Sequence, residues 1–178
     1  EIGINKDQVL VVKTEMESSG TDFYNKVSSL SSVEQVGQAT LSLFKGGMGG
    51  YFTKTPITKE EVFIKTILVD KSFFSTLDIP FQHQAPEGIR AGDVVVNQTG
   101  LEELKMTEQN MGVDLGLGNT SSKVMGVVKD FNFTSLKHKI SGVLFFISET
   151  EKLAEKGSKS LYIRLNTDKL SETVHQIR

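Results

Sequence analysis

The sequence predicts an α+β domain built on mixed β-sheets. Three observations carry that expectation. A strand–helix–strand pattern opens the chain, a strand–helix pattern closes it, and the middle alternates short apolar runs with polar turns. A chain of 178 residues is one domain or two small lobes. At this size it buries about 70% of its unfolded surface, enough for a core without covalent staples.

The elements follow in order. Val9-Leu10-Val11-Val12 is an unbroken apolar run and reads as a central strand. Ser18-Ser19-Gly20-Thr21 breaks it, and Thr21 or Asp22 is the expected cap of a helix. Phe23, Val27 and Leu30 fall at i, i+4 and i+7 on one face of that helix. Val33 to Leu43 returns as an extended segment. Gly46-Gly47-Met48-Gly49-Gly50 reads as a flexible loop, a mobile tip between elements.

The middle is strand-rich. Val62 to Val69 is extended, and Asp70 to Leu77 reads as a short helix turning Phe73, Phe74 and Leu77 inward. Asp93 to Asn97 is a strand leading into a helix from Thr99 to Met106, with Leu101 and Leu104 inward. Ser122 to Val128 and Gly142 to Ser148 complete the set of strands. The polar stretch from Ser148 to Ser160 holds a short helix around Glu151 to Lys156.

Near the end, Leu161, Ile163 and Leu165 alternate with Tyr162 and Arg164, the pattern of a half-buried strand. Leu170, Val174 and Ile177 then repeat the i, i+4, i+7 spacing behind a cap at Asn166 or Thr167. Such a helix normally leads back into a strand. The sequence therefore predicts truncation at Arg178, or a last helix docked on the sheet. The chain begins at Glu1, without Met and without a signal peptide, and reads as an excised or processed piece.

Composition removes several function classes. Twenty Lys and Arg against 22 Asp and Glu leave a net charge of -2, without the basic surplus of a dedicated nucleic-acid binder. Charges of both signs are mixed along the chain, so no polybasic membrane patch stands out. With no cysteine there is no disulfide framework, thiol nucleophile or Cys-based zinc site. The longest apolar run, Val143 to Ile147, is far short of the roughly 18 residues that span a bilayer.

Few motifs suggest chemistry. Asp114-Leu115-Gly116-Leu117-Gly118 looks like the phosphate loop of the actin and sugar-kinase superfamily, where Gly lets backbone amides approach phosphate. Its position past the middle of the chain, the polar residues before it and the lack of a second such loop favour a Gly/Asn hairpin turn. Gly46 to Gly50 lacks the Gly-Lys-Ser/Thr ending of a P-loop. Gly116-Leu117-Gly118 lacks a third glycine at Ser121, and a strand follows where a dinucleotide site needs a helix. His83, His138 and His175 lie far apart, without zinc-helix spacing, and no Gly-x-Ser-x-Gly elbow occurs. Three Asn-x-Ser/Thr sequons occur, at Asn97, Asn119 and Asn132, but such matches arise easily by chance and carry no weight without a eukaryotic secretory route.

Val124 to Leu136 is the most distinctive stretch. A buried strand ends at Lys129-Asp130, and Phe131-Asn132-Phe133 leads to Thr134 and Ser135, ready to cap a short helix. Asp130 is expected to start a turn or cap that helix. Phe131 and Phe133 either pack on the core edge or form an exposed docking patch.

That segment resembles one in the extracytoplasmic domain of MacB/FtsX-type ABC transporter permeases, and others resemble the same family in the same order. Ile4 to Val12 is similar to the strand opening that domain. Val69 to Ile79 resembles its Asp-x-x-Phe-Phe-x-x-Leu-x-Ile signature, through Asp70, Phe73, Phe74, Leu77 and Ile79. Val94 to Thr99 is similar to its Val-Val-Leu-Asn-Glu turn, through Asn97. Gly126 to Phe133 is the most specific, with Gly126, Asp130, Phe131 and Phe133, and Leu161 to Arg164 matches the last strand. Two departures occur. Phe81-Gln82-His83-Gln84 stands where the family often has Gly-Arg-x-Phe, and Ser141-Gly142 follows Ile140 where a proline is common.

The resemblance implies a porter-like α/β module, from about residues 1-45 and 120-178, plus a smaller strand-rich lobe from about 46-119. It implies no catalytic residue, metal or cofactor in this domain, with ATP only on a separate cytoplasmic ATPase reached through membrane helices. It implies a site outside the bacterial cytoplasmic membrane, dimerisation in the full permease, and an adaptor or envelope partner, in export, efflux or envelope maintenance. The alternatives from the residues themselves are a small-ligand or peptide binding module and, more remotely, a phosphotransferase using Asp114 to Gly118.

Overall fold

The chain was analysed as a computed structural model that describes residues 8–13, 20–43, 48–117, 121–132, 139–155, 160–166 and 170–177. The apolar runs become strands and the i, i+4 stretches become short helices. In order these are β1 (Val9–Lys13), α1 (Gly20–Ser28), β2 (Val33–Ala39), β3 (Gly50–Lys54), β4 (Glu61–Asp70), α2 (Ser72–Thr76) and β5 (Phe81–Gln84). Then come β6 (Val94–Asn97), α3 (Gln98–Glu103), β7 (Val124–Val128), β8 (Val143–Ser148), α4 (Thr150–Glu155), β9 (Ser160–Leu165) and α5 (Leu170–Ile177).

The strands among the described residues form one sheet in the order β1-β9-β2-β4-β8-β6-β7-β5, with β3 paired to β4. The β4–β8 and β6–β7 pairs are parallel and the others antiparallel, so the sheet is mixed, as expected for an α+β domain. β4 and β6 come from the 46–119 span and sit against β2, β7 and β8 from the flanking spans, so a single sheet runs through both.

Side-chain alternation sends the two faces of the sheet into separate cores. On one face α2 lays Phe73, Phe74 and Leu77 against Ile67, Val69, Phe145, Ile147 and Tyr162. On the other, Leu101 and Leu104 pack on Ile64, Val94, Val96, Val127 and Leu144. Further along that second face Val27 of α1 meets Val36, Leu161, Ile163 and Leu165.

Several sequence expectations are corrected. β1 is an edge strand and not a central one, because among the described residues only β9 pairs with it, and Val11 is exposed. Thr21 and Asp22 lie inside α1, which starts at Gly20. β9 is buried throughout, because α2 covers the face that its alternation assigned to solvent. Gly50 opens β3, and Phe81 to Gln84 form β5, two strands the apolar pattern did not reveal. Asn166 is exposed and donates its side-chain amide to Ser31 O at 2.8 Å, while Thr167, the other residue expected to cap the last helix, lies outside the described residues, so that cap is not among the corrections. The helix expected from Thr134 and the side chain of Phe133 lie outside the described residues, as do Gly46 and Gly47 of the Gly46–Gly50 loop.

Candidate functional site

Two polar joints, one at each end of the core strands, account for most of the motif residues. The first forms where β6 hands over to α3. Asn97, 1% exposed, has extended backbone and caps α3 by accepting the Gly100 amide at 3.1 Å. Its Oδ1 also accepts the amide of Val143, the first residue of β8, at 2.7 Å. Its Nδ2 donates to Ser141 O at 3.1 Å and to Asp130 Oδ1 at 2.8 Å. All four hydrogen-bonding positions of this side chain are therefore used.

Asp130 completes the joint. Its Oδ1 accepts the Thr99 amide at 3.0 Å and its Oδ2 accepts the Thr99 hydroxyl at 2.6 Å. It thus braces the first turn of α3, where free amides and the helix dipole favour a carboxylate. Asp130 ties the end of β7 to an element 31 residues earlier in sequence. Phe131 is 1% exposed, with its ring centroid 6.0 Å from that of Phe145, so it packs in the core and offers no docking patch. Gly126, on β7, is needed for close approach. A Cβ there would lie 2.9 Å from Cε1 of Phe81 and 3.1 Å from Cδ1 of Ile89.

The second joint holds α2. Asp70 is fully buried at the end of β4 and accepts the Gln38 amide at 3.0 Å, with further bonds from the Phe73 amide and the Thr150 hydroxyl. Burial pushes its carboxyl up to about 6, against the opposing pull of those donors. At the other end of α2, Arg164 Nε donates to Thr76 O at 2.9 Å and Nη2 meets Asp78 Oδ2 at 3.1 Å. Phe73 makes edge-to-face contact with Phe74 and Tyr162 at 5.5 and 5.3 Å. The Tyr162 hydroxyl accepts the Leu43 amide at 2.8 Å, and burial pushes its pKa up to about 12. Arg164 and Tyr162 were legible only as the polar half of a strand, and nothing local in the sequence marks them as anchors of α2.

Among the described residues the β3–β4 hairpin is the main exposed apolar feature. Phe52 pairs across it with Phe63 at a centroid distance of 5.2 Å, and the two are 70% and 48% exposed. Ile57, in the turn, is also exposed. The hairpin lies at the end of the sheet opposite Gln8 and Leu165, which bond to each other through Leu165 N and Gln8 O. Counting strand residues from Val33 to Ala39 and from Val69 to Glu61 at about 3.3 Å each puts its tip roughly 45 Å from that end.

Among the described residues the remaining candidates do not come together at one place. Asp114 Oδ1 accepts the Gly116 amide at 2.9 Å and the Ser122 amide at 3.1 Å, and Asp114 bridges Lys123 across a hairpin. Hydrogen bonds from Ser121 and these amides hold its carboxyl below its ordinary value. The Gly116 amide, one that a phosphate loop would present, is thus turned onto its own aspartate. His83 pairs with Glu108 at the surface, and no group of three or more metal-ligating side chains gathers among the described residues.

This arrangement, a mixed sheet with short helices, is similar in fold to solved extracytoplasmic domains of ABC-transporter permeases. The periplasmic region of MacB from Actinobacillus actinomycetemcomitans shares it with a TM-score of 0.65 and 12% identity, over 98% of this chain and 81% of that one. A domain of a protein described as a permease from Porphyromonas gingivalis matches with a TM-score of 0.64 and 12% identity, over 94% and 79%. The extracellular domain of the ABC-type transporter YknZ from Gram-positive bacteria matches with a TM-score of 0.60 and 10% identity, over 93% and 86%. At these identities the likeness is one of fold. No protein-family profile and no curated protein sequence matches the chain. No helix among the described residues is long and apolar enough to cross a membrane.

Proposed function

We propose that this chain is an extracytoplasmic domain of an ABC permease of the MacB/FtsX type, and that it transmits motion without catalysing a reaction. The observation that carries this reading is the shared fold over nearly the whole chain. The motif residues support it, since Asp70, Asn97 and Asp130 lock strands to helices and leave the domain a rigid body. A lever needs stiffness and discrete contact surfaces. ATP-driven motion of a cytoplasmic ATPase enters through membrane helices at the end of the sheet where Gln8 and Leu165 meet. It leaves at the hairpin, where Phe52, Phe63 and Ile57 offer apolar surface to an adaptor, cargo or envelope partner. The full permease works as a dimer, and the domain itself carries no metal or cofactor.

These 178 residues contain no cysteine, so a full-length permease freed of any other cysteine gives a direct test. A single cysteine placed at Thr58, on the hairpin turn of the full-length permease, is labelled by a membrane-impermeant maleimide added to intact cells with a permeable outer envelope. Labelling only after lysis would overturn the location. The Phe52→Ser, Phe63→Ser double variant lowers transport per ATP hydrolysed, while its unfolding free energy stays within about 1 kcal/mol of the parent. Unchanged coupling would remove the hairpin from the lever.

A further inference from the structure

A cavity of about 350 Å³ opens between α2, β5 and the ends of β2 and β8. Its floor is apolar, formed by Phe74, Phe81, Ile89 and Ile147, with the Phe74 and Phe81 rings 5.1 Å apart. Its rim is polar and carries charge of one sign. Lys71 lines it, no Asp or Glu does, and Lys71 makes no salt bridge among the described residues. Gln35 and Gln84 stand on the rim, each with a carboxamide that both donates and accepts. Gln35 Nε2 donates to Ser75 Oγ at 2.6 Å, and Ser75 Oγ donates to Ser72 O at 3.1 Å, so that wall is fixed to α2.

We infer that this cavity binds the C-terminal end of a peptide whose last residue is apolar. Each part of the site meets one part of that ligand. The apolar floor takes the side chain, Lys71 takes the terminal carboxylate, and the Gln35 and Gln84 carboxamides match the preceding peptide group. The volume lies at the small end of the roughly 300–1,000 Å³ typical of ligand pockets, which suits one residue and its carboxylate better than a larger molecule. An unbalanced cation at the mouth selects an anionic end over a neutral or cationic one. The inference stands apart from the transport reading, because it rests on the cavity alone.

The test is an amide ¹⁵N–¹H titration of the 178-residue chain with N-acetyl-leucine. Saturable shifts should be confined to residues around Gln35, Lys71 to Ser75, Phe81 to Gln84 and Ile89. N-acetyl-leucinamide, which lacks the carboxylate, should bind about threefold to fivefold more weakly, the scale of one exposed ion pair. Lys71→Gln should bring N-acetyl-leucine down to the amide's affinity and leave the amide's own unchanged. Lys71 is exposed, so the spectrum of that variant away from the cavity reports an intact fold. The proposal is overturned by unsaturable or scattered shifts, by equal binding of acid and amide, or by loss of amide binding in Lys71→Gln. Octanoate binding as tightly as N-acetyl-leucine would also overturn it, since the peptide group would then contribute nothing.

Discussion

Truncating Asn97 to alanine removes a side chain that joins three elements at once. Its Oδ1 takes the Gly100 amide at 3.1 Å and the Val143 amide at 2.7 Å, and its Nδ2 reaches Asp130 and Ser141. The lost helix cap costs about 1 kcal/mol. Val143 is fully buried, and its amide loses its acceptor at the start of β8, a further cost of about 2 kcal/mol. Ser141 O is half-buried and recovers water, and Asp130 keeps Thr99, so neither adds much. The sum is about 3 kcal/mol, or roughly 6–12 °C in Tm for a domain of this size. Urea unfolding of the isolated chain should show the midpoint falling with the m-value unchanged. Asn97→Ser, which restores a cap acceptor, should recover about 1 kcal/mol. A loss below about 1 kcal/mol in Asn97→Ala, or no recovery in Asn97→Ser, would refute the joint as described.

Three further outcomes follow from the same geometry. In Gly37→Ala the new Cβ meets Phe73 Cα at 2.7 Å, a backbone atom that cannot give way, whereas in Gly126→Ala it meets a Phe81 ring atom at 2.9 Å. Thermal melting should therefore show Gly37→Ala losing about 2 kcal/mol and Gly126→Ala clearly less. Tyr162→Phe leaves the Leu43 amide without its 2.8 Å acceptor and should cost about 1–2 kcal/mol in the same assay. Asp70 has its folded pKa raised from 3.8 to about 6, so the native state holds the proton more tightly than the unfolded chain. Its contribution is present below about pH 4 and is lost as pH rises through about 6, by about 3 kcal/mol in all, of which the span from pH 4 to 7 takes about 2 kcal/mol. The stability difference between the wild type and Asp70→Asn should change by that amount between pH 4 and 7, and a flat difference would refute it.

The motif residues were legible from the sequence as a set, but their roles were not. Asp70, Phe73, Phe74, Asn97 and Asp130 stood out because their order and spacing resembled a family. Only the fold brings Asp130 to the first turn of α3, 31 residues earlier, where it braces Thr99. Asp114 shows the converse. Its Asp-x-Gly spacing suggested phosphate chemistry, and the structure spends its carboxylate on its own loop amides. Local spacing fixes which backbone groups a side chain can reach nearby, but not which distant groups arrive.

The same division runs through the fold. By itself the sequence determined the mixed α+β class and most of the elements, because apolar periodicity is a local property written along the chain. It located β4, β6, β7 and β8 closely, since strands buried on both faces leave continuous apolar runs. Tertiary structure alone decided that the apolar β1 lies at an edge, that β9 is buried on its polar-looking side, and that Gly50 to Lys54 and Phe81 to Gln84 pair as strands. Edge position and burial depend on what packs alongside, and pairing partners here lie far apart in sequence. Only assembly placed Arg164 under the end of α2 and left Phe52 and Phe63 exposed on a projecting hairpin, because neither a neighbour's presence nor its absence is encoded within the segment itself.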